Sequence, residues 1–174
     1  MGELRDVLYV ENPELIVFDQ IVPVFEPALL SESEWVDLLR DASLSAPWGC
    51  GNGFAASTED QRVGLTVYGP ADSVAERVAL PNAGWRAEIR VGKHLFANHC
   101  NDMALPWDVS PTAVATWQIV EGVLVYIDPS ATPFECSAEP IEAQLIGAVV
   151  DTPAGPIYLP DIHLVNNAYN CFAG

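Results

Sequence analysis

The sequence is short of positive charge. Its 174 residues carry 7 lysines and arginines against 24 aspartates and glutamates, and Lys93 is the sole lysine, so the formal net charge is −17. A chain so acidic has no electrostatic footprint for a nucleic-acid backbone, which excludes that class of partner. An acidic surface by itself speaks to solubility, with salty surroundings or weak cation binding as sharper readings. The chain also has no apolar run of 18 residues, so no helical membrane span is expected. The opening MGELRDVLYVENPE has neither a basic start nor an unbroken apolar stretch, so it does not read as a signal peptide. Either the protein is cytosolic, or Met1 and Gly2 stand in place of a leader. GxSxG, HExxH and P-loop motifs are missing as well. Glycines in SAPWGCGNG lack the third glycine of a dinucleotide fingerprint at its usual spacing.

Half of the residues are apolar, enough for one domain with a sizeable core. We read residues 1–174 as that domain, with N-terminal strands and a helix in 1–44 and a β body in 45–174. The stretch that organises the chain is Trp85 to Asp102. Trp85, Ala87, Ile89 and Val91 alternate with Arg86, Glu88 and Arg90, a period of two that places one face in a core and the other in water. Before it, Leu4 to Val10 and Leu15 to Phe25 are β-prone, split by Asn12-Pro13. Ser31 and Glu34 form a capping box. Trp35, Leu38, Leu39 and Ala42 then give an apolar stripe about three turns long, and this is the single good helix signal.

Ser45 to Gly53, rich in glycine and proline, predicts a tight loop around Cys50. Val63 to Tyr68 and Val74 to Leu80 are short strands ended by Gly69-Pro70 and Pro81-Asn82. Val114 to Ile127 is a long strand in which Gly122 marks a bend or bulge. Ile141 to Val150 pairs with Ile157 to Val165 across turn chemistry at residues 151–156. About eight short strands, one helix and no βαβ alternation predict a mainly β antiparallel sandwich or flattened barrel.

Cys50, Cys100, Cys136 and Cys171 are far apart and contain no CxxC pair, which argues against a zinc or thiol-exchange motif. An even number at wide spacing fits two disulfides. Of three pairings we favour Cys100 with Cys136 and Cys50 with Cys171, closures worth roughly 4 and 5 kcal/mol on a chain-entropy model. The alternative is four buried thiols in a cytosolic protein. Disulfides imply an extracellular or cell-surface location.

Three segments carry a resemblance. WGCGNGF at Trp48 to Phe54, LFANHCND at Leu95 to Asp102 and NCFAG at Asn170 to Gly174 resemble segments of uncharacterised secreted bacterial β-rich proteins. The resemblance spans roughly residues 45 to 174 and implies an exported, disulfide-bonded β domain. It carries over no catalytic residue.

Ligand-type side chains gather after the organising strand. His94, His99 and Asp102, joined by His163, are a candidate zinc or copper set of two or three imidazoles and a carboxylate. Five residues separate the first two histidines, matching neither the same-face repeat of a strand nor a helical turn. The plainer reading is a pair of loop histidines. Asn101, Asp102 and Asp108 form an oxygen set for calcium without EF-hand spacing. These features favour a non-catalytic extracellular module presenting loops to a carbohydrate or protein. One alternative is a self-assembling filament or layer subunit that adds Leu15 to Phe25 to a neighbour's sheet. Another is a metal-dependent hydrolase.

Overall fold

The computed structural model describes residues 30–70, 76–97, 109–127 and 140–167. Helix α1 runs Glu32–Arg40, and nine strands follow: β1 (Ala46–Trp48), β2 (Gly53–Ser57), β3 (Val63–Tyr68), β4 (Arg77–Leu80), β5 (Arg86–Lys93), β6 (Thr112–Tyr126), β7 (Ile141–Thr152), β8 (Gly155–Tyr158) and β9 (Ile162–Asn166). All pairings are antiparallel, in the order β1-β2-β3-β5-β6-β7-β8, with β4 also on β6 and β9 also on β7. The β-prone runs before residue 30 lie outside the described residues, as does the stretch before Glu76 that the sequence placed in β4.

The helix forms where its cap predicts. Ser31 Oγ accepts the Glu34 N–H, and the Glu34 carboxylate accepts the Ser31 N–H at 2.7 Å. Trp35, Val36 and Leu39 are its buried face, while Leu38 and Ala42 pack from the rim.

Two long strands set the shape. β6 gives one edge to β5 along its first half and to β4 along its second, while β7 takes the other edge. The register slips on either side of Glu121, beside Gly122, whose φ of +155° suits glycine, so the expected bulge is present. β7 repeats the device. Its outer edge pairs with β9 near its start and with β8 near its end. Between them the Gly147 N–H faces the Asp161 carboxylate, and Ala148 accepts the Leu159 N–H. The single return strand expected at 157–165 is therefore two strands, broken at 159–161, and the turn narrows to Pro153-Ala154.

Bending at these points brings β9 against β1 and β2. The sheet nevertheless does not close into a barrel, which corrects the flattened-barrel expectation. β1 is three residues long and contains Pro47, which has no N–H to give to a ladder. The fully buried Asn166 side chain bridges the seam, donating to the Gly51 and Gly53 carbonyls at 3.1 and 2.6 Å. A second correction concerns Ser45 to Gly53, which contains β1 and leads directly into β2. Its proline sits on an edge strand, where the missing donor does no harm.

The main core lies on the inner face of the curled sheet. Phe54, Leu65, Val67, Ile89, Val91, Leu124, Leu145 and Leu164 are fully buried or nearly so, and α1 adds its buried face to the same cluster. Trp85 stands one residue before β5, half-buried over Gly69 and edge-on to Tyr126. Cys50 is the one cysteine among the described residues and is not a free thiol. Cys100, Cys136 and Cys171 lie outside them, so neither expected pairing is placed.

Candidate functional site on the outer face of the sheet

Register builds a site that the inner-face pattern does not reveal. Thr66 of β3 stands opposite Glu88 of β5, which stands opposite Gln118 of β6. The row on one side holds Tyr68 and Arg86. The row on the other holds Gly64, Arg90 and Thr116. Because alternate strand residues share a face, all of these project outward, away from Leu65 and Ile89.

The floor beside this row is made of small residues. Gly53, Ala55, Ser57, Gly64 and Thr66 are all buried, although they belong to the outer face. Aromatic rings cover them: Tyr68 lies on Gly53, and Phe96 lies so close on Gly64 that a Cβ there would run into its ring. Trp48 meets Phe96 edge-on at 4.5 Å, and with Ala55 and Leu95 they form a satellite cluster.

Glu88 is the centre. Its side chain is 1% exposed, whereas Arg86 and Arg90 are 65% and 39% exposed. Arg86 Nε donates to Oε2 at 2.7 Å, with its Nη2 also 2.7 Å away. Arg90 Nε and Nη2 both donate to Oε1, at 2.8 and 2.6 Å. Gln118 Nε2 adds a long contact to Oε2 at 3.4 Å. Burial pushes the carboxyl up, but the Arg90 hydrogen bonds and charge, Gln118 and the Arg86 charge outweigh it and hold Glu88 below its ordinary value. Burial raises the Tyr68 phenol, with Glu88 adding to the rise and Arg90 opposing it, so the ring stays neutral across ordinary pH. Thr66 Oγ1 is buried and has no hydrogen-bond partner among the described residues.

The arrangement is an ion-pair ladder covered by its own guanidiniums. One carboxylate between two arginines leaves a net positive charge, and β5 carries three of the chain's seven basic residues. On a protein of net charge −17 this is a local reversal of sign. It offers planar, charged donors and a half-buried aromatic ring. Among the described residues of this face no nucleophile is paired with a base.

The sequence-predicted ligands fall elsewhere. His94 follows β5 at a φ of +52°, half-buried, its carbonyl accepting the Ala97 N–H. His163 lies on β9, exposed, with Nε2 2.8 Å from Glu142 Oε2. His99, Asn101, Asp102 and Asp108 lie outside the described residues. Among the described residues no three His, Cys, Asp or Glu side chains gather closely enough to hold a metal. An open cleft of about 510 Å³ lies between the end of α1 and the turn at 58–60, lined by Leu38, Ala42, Ser43, Thr58, Glu59 and Asp60 among others.

Sequence reasoning placed Arg86, Glu88 and Arg90 on the solvent face but missed them as a site. The signal was available: R-x-E-x-R on a strand puts three charges of alternating sign in one row. Comparison with known families, with curated proteins and with solved structures gives no match.

Proposed function

We propose that the protein is a non-catalytic extracellular or cell-surface module that binds a carbohydrate or protein partner on the outer face of β3, β5 and β6. One observation carries the reading: Glu88 fixes two half-exposed arginines on rigid, doubly paired strands beside Tyr68 and Gln118. Binding groups held on strands are more precise than groups held on loops, because packing locks their rotamers. An oxidising location is supported by Cys50, which is not a free thiol. Three of the described edge strands also fit a module that does not add strands to a neighbour. β1 contains Pro47, β8 contains Pro156, and β4 is four residues long and followed by Pro81. No helix among the described residues is long and apolar enough to cross a membrane.

The test is binding to a panel of immobilised neutral and charged polysaccharides and purified cell-surface proteins. It compares the unmodified protein with Thr116→Trp, which sets a bulky ring on an exposed position of the same face. Retention abolished by Thr116→Trp and kept by Tyr158→Ala, a change on the β8 edge, supports this face. Retention equal in Thr116→Trp and the unmodified protein, or no retention at all, overturns it.

A further inference from the structure

The chemistry of the partner can be read from how the arginines are held. Each guanidinium has two donor edges. Both arginines turn the Nε–Nη2 edge to Glu88. Nη1 of each has no partner among the described residues, and the arginines reach solvent. The outer edge, made of Nη1 and the second Nη2 hydrogen, is therefore presented outward. A planar outward fork matches the two oxygens of a carboxylate, by two parallel charge-assisted bonds.

The two forks stem from one strand four residues apart, but both heads converge on the Glu88 carboxylate, Arg86 Nη2 2.7 Å from Oε2 and Arg90 Nη2 2.6 Å from Oε1, so they lie within roughly 8 Å of one another. A ligand that uses both must carry two carboxylates close together, as neighbouring residues of a polyuronate do. Tyr68 lies beside Arg86, and Gln118 and Thr116 stand on the neighbouring strand. Strand β5 is paired with β3 over Arg86–Val91 and with β6 over Glu88–Lys93, which leaves too little open edge for a peptide strand. Recognition here must run through side chains alone, which suits a chain of sugar rings with hydroxyl and carboxylate groups.

We infer that this face binds an acidic polysaccharide of uronate type, with Arg86 and Arg90 as carboxylate forks and Glu88 as the residue that positions them. The inference rests on the proposed binding face and names its ligand class. The experiment is calorimetric titration with oligogalacturonate and, in parallel, with a neutral gluco-oligosaccharide of the same length. Arg86→Gln and Arg90→Gln should each weaken oligogalacturonate binding roughly ten- to a hundredfold, the equivalent of losing a charged hydrogen-bonded contact. Arg90→Lys keeps the charge and loses the fork, so it should weaken binding as well.

Glu88→Gln separates positioning from simple attraction. It makes the patch more positive, so a purely Coulombic surface would bind the polyanion more tightly, whereas loosened forks bind it more weakly. Tighter binding by Glu88→Gln, or full affinity in Arg90→Lys, would overturn the fork geometry. Equal affinity for the neutral and acidic sugars, lost in Thr116→Trp, would overturn the uronate assignment and leave the binding face standing. Binding of neither sugar, with another ligand still captured through Thr116, would have the same meaning. Melting curves of each variant, matched to the unmodified protein, separate a lost fork from lost folding.

Discussion

Strand β5 shows the same backbone burying two different chemistries. Its inward residues Ala87, Ile89 and Val91 enter a continuous apolar core, as alternation requires. Its outward residues should face water, yet Glu88 is as buried as Ile89 to within one per cent of exposure. The two burials have different origins. Ile89 is covered by other parts of the chain, across the curled sheet, and its stabilisation scales with apolar area removed from water. Glu88 is covered by the side chains of its own neighbours, which solvate it in place of water. Inner-face stability should therefore be indifferent to pH and salt, and outer-face stability should respond to both.

The largest expected effect is on the inner face. Ile89→Ala removes a fully buried side chain and should cost about 2 to 5 kcal/mol by chemical denaturation, with little change between pH 7 and pH 4. A loss well below 1 kcal/mol would mean that the core closes over the cavity.

Glu88→Gln should cost about 1 kcal/mol at pH 7, modest because both arginines reach solvent. The sign with pH follows from the lowered carboxyl. Glu88 is more acidic folded than unfolded, so its contribution is complete above the unfolded value of about 4.3 and disappears as pH falls through the folded one. The gap in melting temperature between the unmodified protein and Glu88→Gln should hold from pH 7 to 5 and shrink below pH 4. It should also narrow in molar salt. A gap that widens on acidification would reverse the comparison.

The smallest effect is on the floor of the outer face. Thr66→Val replaces a buried hydroxyl without a described partner by a methyl group, so stability should be unchanged or rise by up to about 1 kcal/mol. A clear destabilisation would show that the hydroxyl is engaged in the folded protein.

The sequence alone determined the elements whose signals are local. Ser31 and Glu34 start the helix because a capping box satisfies its own donors within four residues. Alternation in β5 and the length of β6, with its break at Gly122, follow from pleat geometry and glycine's freedom at positive φ. The mainly β, antiparallel class follows from those strands. The tertiary structure decided whatever depends on partners distant in sequence. Ser45 to Gly53 reads as loop because proline and glycine dominate it, and it gains β1 only because β2 offers a ladder. The run at 157–165 divides where Asp161 accepts the Gly147 N–H and Leu159 donates to the Ala148 carbonyl of β7. The sheet stays open because no strand ladder joins β9 to β1 or β2, and the Asn166 side chain reaches across the seam to the Gly51 and Gly53 carbonyls. Glu88 shows the same rule at the candidate site. Its spacing from Arg86 and Arg90 is written in the sequence, but its burial needs β3 and β6 alongside, and the burial of a charge is set by its neighbours in space.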